Sequence, residues 1–283
     1  MPWTAAEDGA RIHWSEWGDP EGEVILFLHG LGTDNLGWVR QRGAFGEDFR
    51  CLAIDNRGSG RSDKPDGPYS LEMLTRDAMA VLDDAGAIEA HVVGASMGGV
   101  IAQIMAVTHP ERVTSLTLAC TACTRHKWRE EMLAEWVEMI EDQGMRRFAV
   151  HNLDWIFGPR SLRRLWPVAM LLGPLLLRAP EHAFLAQLGA LLEIDDHSAA
   201  EDLGHIGVPT LVVTGSQDKL TPVADAEEIA ARIPGSELVI IRGAAHGFML
   251  ENAGPFNEVV LEFVIRNSVR VDDGPMAEVI PIR

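Results

Sequence analysis

Short runs of continuous apolar residues, rich in Val, Ile and Leu, recur at 24–28, 51–54, 91–94, 115–119, 209–214 and 238–241. Four to six consecutive apolar positions bounded by turn residues predict a strand buried on both faces. Residues 11–17 alternate polar and apolar instead, which predicts an antiparallel strand near a sheet edge. Between the runs the period changes to that of a helix. Leu71, Leu74, Ala78, Val81 and Leu82 share one helical face, and 97–107 and 222–233 behave similarly, with Pro222 suited to a first turn. Alternating strands and helices predict an α/β class: a mostly parallel central sheet flanked by helices.

The alternation stops between about 124 and 206. That stretch predicts helices over 128–142, 144–150 and 180–192, and its middle is broken by Pro167, Gly173, Pro174 and Pro180. It carries four of the eight tryptophans: Trp128, Trp136, Trp155 and Trp166. The expected organisation is a core of 1–123 and 207–266, an inserted helical cap over 124–206, and a C-terminal tail, 267–283, without clear pattern.

Composition narrows the function classes. With 24 basic and 42 acidic side chains among 283 residues, the formal charge is −18, which repels nucleic acid and anionic membranes. A 47% hydrophobic content fits a globular chain. The most apolar stretch, 168–177, is too short to cross a bilayer, and the first residues lack the charged and apolar regions of a signal peptide. Three cysteines make an odd count, so no disulfide framework is expected; Cys120 and Cys123 form a CxxC without a second pair, and are expected as reduced thiols in or beside the core. A cytoplasmic protein is expected.

Three loops then draw attention. The strand 91–94 runs into Gly94-Ala95-Ser96-Met97-Gly98 and straight on into a helix, the strand–turn–helix context that G-x-S-x-G requires. Ser96 there stands at a helix N-terminus, where developing negative charge is stabilised. Asp218 follows the strand 209–214, and His246 follows the strand 238–241. A serine nucleophile needs a base, and the base needs an orienting carboxylate. In a parallel sheet these loops emerge at one edge, so Ser96, Asp218 and His246 can converge. His29-Gly30-Leu31-Gly32 follows the first buried strand; the backbone N–H groups of Leu31 and Met97 are the candidate oxyanion donors, with His29 structural. No metal-ligand spacing is present, so neither a metal nor an organic cofactor is expected.

The segments FLHGLG, DNRGSGRSDKP, GASMGG, HPERVTSLTL, PTLVVTGSQDKLTP and GAAHGFMLENAGPFNEVVLEF resemble those of α/β-hydrolase fold serine hydrolases over nearly all of 10–266. GLGTDNLGW, YSLEMLTRDAMAVLDDAG and the spacing from Trp128 to Gly144-Met145 are similar to 3-oxoadipate enol-lactonases and to many carboxylesterases. The resemblance implies a core sheet with one antiparallel strand, a helical cap, Ser96 as nucleophile, Asp218 as acid and His246 as base. The segment 157–181 is longer and more apolar than the cap of an enol-lactonase, and its Arg160, Arg163, Arg164 and Arg178 are expected on solvated helix faces.

The expected function is therefore a carboxylic ester hydrolase (EC 3.1.1 type) that works through a Ser-His-Asp triad and an acyl-enzyme on small to medium apolar acyl or aryl substrates. Trp128, Trp136, Trp155, Leu172 and Phe248 are the expected pocket side chains. Lactone opening and C–C bond hydrolysis on the same triad are the alternatives, and a non-catalytic ligand binder on the same fold is a third. The expected partner is a small ester or lactone. A homo-oligomer, where one forms, is expected to use the cap or the tail.

Overall fold

A computed structural model of the chain describes residues 2–163, 177–192 and 202–268. Eight strands form one sheet: β1 (Trp3–Ala5), β2 (Arg11–Gly18), β3 (Glu23–Leu28), β4 (Phe49–Ile54), β5 (Ala90–Ala95), β6 (Val113–Ala119), β7 (Thr210–Gly215) and β8 (Glu237–Ile241). Their order is β1-β2-β4-β3-β5-β6-β7-β8. β2 runs antiparallel to β1 and β4, and the remaining pairs are parallel. The alternating segment thus lies near the edge as expected. The short β1, which lies outside it, has too few residues to leave a periodic signal.

The continuous apolar runs are explained by two separate cores. The short helix α1 (Arg42–Phe45) lies between β3 and β4. Leu26 and Leu28 of β3 point into one layer with α2 (Leu71–Asp84), α3 (Met97–Thr108) and Ile229 from the helix after β7. Ile25 and Phe27 point into the other, where Trp38, Phe45, Phe256 and Phe263 pack. The inner strands are covered on both faces, whereas β8, expected to be buried on both, is an edge strand with Ile240 43% exposed.

Between β6 and β7 the chain forms α4 (Lys127–His151), α5 (Leu153–Ile156) and α6 (Glu181–Leu192). The two helices expected at 128–142 and 144–150 are one helix with an interruption at Gly144, whose φ of 77° only glycine adopts freely. Met132, Trp136, Ile140, Phe148, Phe184 and Leu188 give this segment a core of its own. After β7 come α7 (Val223–Arg232), then, beyond β8, α8 (Phe248–Glu251) and α9 (Ala253–Arg266). Tail residues 269–283 lie outside the described residues. No helix among the described residues is long and apolar enough to cross a membrane.

Two buried histidines tie stability to pH. Burial pushes the pKa of His29 down, and it does the same to His91 even though His91 hydrogen-bonds Glu23. In the unfolded chain both take up a proton near pH ~6.5, whereas the folded chain resists protonation, so below that pH the unfolded state binds more protons and gains. Urea unfolding at pH 7.5, 6.5 and 5.5 is expected to give falling stability, by up to about 1.4 kcal/mol per pH unit for each histidine. The decline should be shallower in His91→Gln. A flat profile over this range would refute the linkage.

Candidate active site

Ser96 sits between β5 and α3 with φ 55° and ψ −120°, a backbone conformation that L side chains avoid. The turn is held from outside: Ser96 N–H donates to Ala119 O at 2.9 Å, and Thr121 Oγ1 donates to Ser96 O at 2.8 Å. Both flanking glycines are sterically required. A Cβ at Gly94 would lie 2.3 Å from Gly98 O, and one at Gly98 would lie 2.2 Å from Leu28 O at the end of β3. Gly30 also comes close, since a Cβ there would stand 3.1 Å from Ser96 Cβ. Gly94 and Gly98 are places where backbone passes backbone at contact distance, whereas Gly30 makes room for the Ser96 side chain.

Asp218 and His246 meet as expected. His246 Nδ1 lies 2.9 Å from Asp218 Oδ2, with both side chains buried. Asp218 Oδ1 accepts from the N–H groups of Leu220 and Thr221, each at 2.9 Å. Thr221 Oγ1 donates to Oδ2 at 2.8 Å and lies 3.3 Å from His246 Nδ1. Four contacts use the full accepting capacity of an ionised carboxylate. His246 therefore carries its proton on Nδ1, leaving Nε2 as the basic nitrogen. Ser96 and His246 line the same cavity without a direct hydrogen bond between them, a separation common before substrate binds. Thr221 was not singled out from the sequence; the signal for it is the Asp-x-x-Thr pattern, in which an aspartate caps the backbone two and three residues on.

Leu31 and Met97 line the cavity too, and among the described residues no acceptor takes either N–H. The cavity measures about 400 Å³. Its wall is mostly apolar, with Val100, Leu133, Trp136, Phe148, Leu220 and Met249 among its side chains. Of the expected pocket residues, Trp136 is on this wall, packed edge-on against Phe148 at 5.3 Å between ring centres. Trp128 is not: it is 40% exposed, with the Arg129 guanidinium 4.7 Å from its ring centre. Trp155 stands behind Trp136, 6.4 Å away edge to face, and Phe248 is fully buried in the core against Phe256. Both were expected from their neighbours in sequence, but helix rotation turns their rings away from the cavity. Leu172 lies outside the described residues. Phe148, missed in the sequence, is on the same wall and lies on the part of α4 that follows the break at Gly144.

Arg178 is exposed, as expected of a solvated side chain, and its Nε also donates to the buried Asp34 at 2.8 Å on the cavity wall. Cys120 and Cys123 are buried free thiols that line the cavity, and burial raises both pKa values, which keeps them protonated. Among the described residues there is one potential ligand set: His126, Asp225 and Glu228 bring donor atoms within 4.8 Å of one another. However, Arg129 pairs with Asp225, and Arg232 with Glu228 at 2.8 Å, so cations already occupy these carboxylates. The cluster is an ion-pair network tying α4 to α7.

The profile of the Alpha/beta hydrolase family matches residues 25–259. A Caulobacter segnis protein named for carbamate hydrolase activity (RutD) is 28% identical over 269 residues, 92% of this chain and 98% of the relative. The 3-oxoadipate enol-lactonase 2 of Acinetobacter baylyi is 28% identical, over 91% of this chain and 94% of the relative. Among solved structures, the enol-lactonase of Burkholderia xenovorans LB400 superposes with a TM-score of 0.85 at 28% identity, covering 93% of this chain and 100% of the other.

The strain at residue 96 has a measurable consequence. Ser96→Gly relieves the positive φ and Ser96→Ala does not, so the glycine variant is expected to be the more stable of the two by about 1–2 kcal/mol in urea unfolding. That difference opposes the usual entropic penalty of glycine. Equal stability, or a more stable alanine variant, would mean that the turn is not strained.

Proposed function

The chain belongs to the alpha/beta hydrolase family, and from that premise we propose that it is a serine hydrolase of carboxylic esters with small to medium apolar acyl or aryl groups. The observation that carries the reading is the coupling of Asp218 to His246 Nδ1 at 2.9 Å beside a strained Ser96 on one apolar cavity. In the first step His246 Nε2 takes the Ser96 proton as Ser96 Oγ attacks the ester carbonyl. The N–H groups of Leu31 and Met97 receive the oxyanion, and Asp218 stabilises the imidazolium. The alcohol departs with the proton from His246. Water, deprotonated by the same nitrogen, then releases the acid and frees Ser96. In this reading residues 124–206 act as a cap over the site, and the wall of Leu133, Trp136 and Phe148 receives the apolar group. The partner is a small molecule.

Lactones are the second substrate class, favoured by the two enol-lactonase relatives. A lactone is an ester whose alcohol stays attached, so the same two steps apply. Carbamates, suggested by the name of the Caulobacter relative, have a carbonyl made less electrophilic by nitrogen. A small polar carbamate would also leave this apolar wall largely unfilled.

Hydrolysis of p-nitrophenyl esters from acetate to decanoate, of a γ-lactone and of a p-nitrophenyl carbamate tests the reading. Turnover is expected to be highest for a medium-chain ester and to fall on the order of a millionfold in Ser96→Ala. Asp218→Asn should lose about 10⁴-fold, because the tautomer of His246 is no longer fixed. Rates unchanged in Ser96→Ala would overturn the mechanism. A carbamate turned over faster than every ester would move the substrate class to that of the Caulobacter relative.

A further inference from the structure

Gly32, the residue after one proposed oxyanion donor, is held on three sides by the inserted segment. Its N–H donates to Gln187 Oε1 at 2.9 Å, and its carbonyl accepts from Arg178 N–H at 2.7 Å. Its Cα lies against the Phe184 ring, where an added Cβ would come within 2.5 Å of two ring carbons. At φ 67° the position excludes other residues in any case. Gln187 is fully buried on α6, and its amide also donates to Arg57 O at 2.7 Å and Ser59 Oγ at 3.0 Å. One side chain therefore bridges the loop after β3, the loop after β4 and the inserted segment. Arg178 adds a parallel link: its Nε bonds Asp34, two residues beyond Gly32, and its carbonyl accepts from Gly60 N–H at 3.0 Å.

We infer that Gln187 is a positioning residue for the oxyanion loop: its carboxamide holds Gly32, and through Gly32 fixes the direction of the Leu31 N–H. The inserted segment then does more than shape a pocket, since it completes the charge-stabilising half of the catalytic machinery. The physical reason is that side chains of the loop itself hold Gly30, through Thr33 Oγ1, and Leu31, through apolar packing, while the N–H of Gly32 is held by a buried amide bonded three times. An oxyanion donor acts only within a narrow range of distances, so a small displacement at Leu31 costs turnover and leaves ground-state binding unaffected. The inference rests on the serine-hydrolase reading, and Ser96→Ala on the same ester tests that reading separately.

The test compares Gln187→Leu and Gln187→Glu with wild type, with rates expressed per active site titrated by a fluorophosphonate. Gln187→Leu removes all three bonds. Its kcat is expected to fall about tenfold to a hundredfold with KM nearly unchanged, and its affinity for a trifluoromethyl ketone, which forms the tetrahedral adduct, to fall by the same factor. Gln187→Glu keeps an acceptor for Gly32 N–H and is expected to recover most of the adduct affinity. A purely structural role would lower the titrated fraction and leave kcat per site intact; that result overturns the inference, as does a rise of KM equal to the loss in adduct affinity. Should Gln187→Leu fail to fold, hydrogen exchange on wild type decides. The Gly32 amide is expected to be protected to the level of the β5 and β6 core, and exchange at the rate of an open loop would overturn the inference.

Discussion

Everything at this site depends on the close passage of three backbone segments at the carboxyl edge of the sheet. β3 ends beneath the first turn of α3, and the first turn of α3 lies over the end of β5, with no room for a Cβ at Gly94 or Gly98. That packing forces Ser96 into a conformation it would not adopt alone, and bonds from Ala119 O and Thr121 Oγ1 hold it there. Strain of this kind survives only where its surroundings over-determine it. Here they are central parallel strands packed against a buried helix. The direction in which Ser96 points is thus a consequence of sheet packing rather than of anything serine does.

The charged groups near the site follow the same logic of full satisfaction. Asp218 has four donors for its two oxygens. Asp55, fully buried behind the loop after β3, accepts from Asn35 N–H and Nδ2, from Arg61 N–H, and contacts His13 Nδ1 at 2.8 Å. Burial alone would raise its pKa, but the N–H bonds from Arg61 and Asn35 outweigh it and lower the value. A carboxylate held in this way stays ionised and fixes every segment that donates to it. Asp55 thereby joins the loops after β3 and β4, and Gln187 joins both to the inserted segment.

The core of the fold was legible because the inner strands are buried on both faces, which leaves short continuous Val, Ile and Leu runs between helical patterns; β8 at the edge gave the same signal although Ile240 is exposed. The positions of Ser96, Asp218 and His246 were legible for a related reason: each sits where a predicted strand ends, and a parallel sheet gathers such ends at one edge. The aromatic lining was not. Whether Trp128 or Trp136 faces the cavity depends on the rotation of α4, and the apolar period of that helix is blurred by its break at Gly144. Trp155 and Phe248 were lost the same way, since a large ring near a site in sequence packs into whichever core its helix turns toward. Arg178 and Gln187 carry no local signal at all. Their partners, Asp34 and Gly32, lie 144 and 155 residues away in sequence.

Polar and apolar groups around Ser96 differ in origin. Asp218 and His246 stand in loops at the sheet edge, and the apolar wall is shared, with Leu133, Trp136 and Phe148 from the inserted segment and Val100, Leu220 and Met249 from the core. An apolar wall lowers the local dielectric, and that strengthens the field of any oriented N–H or carboxylate beside it. It also raises the cost of each polar group left unpaired, and Asp218 with four contacts and Gln187 with three are bonded accordingly. The inserted segment thus supplies part of the apolar wall and, through Gln187, three hydrogen bonds to the loops after β3 and β4, so the shape of the cavity and the setting of Gly32 cannot be varied independently.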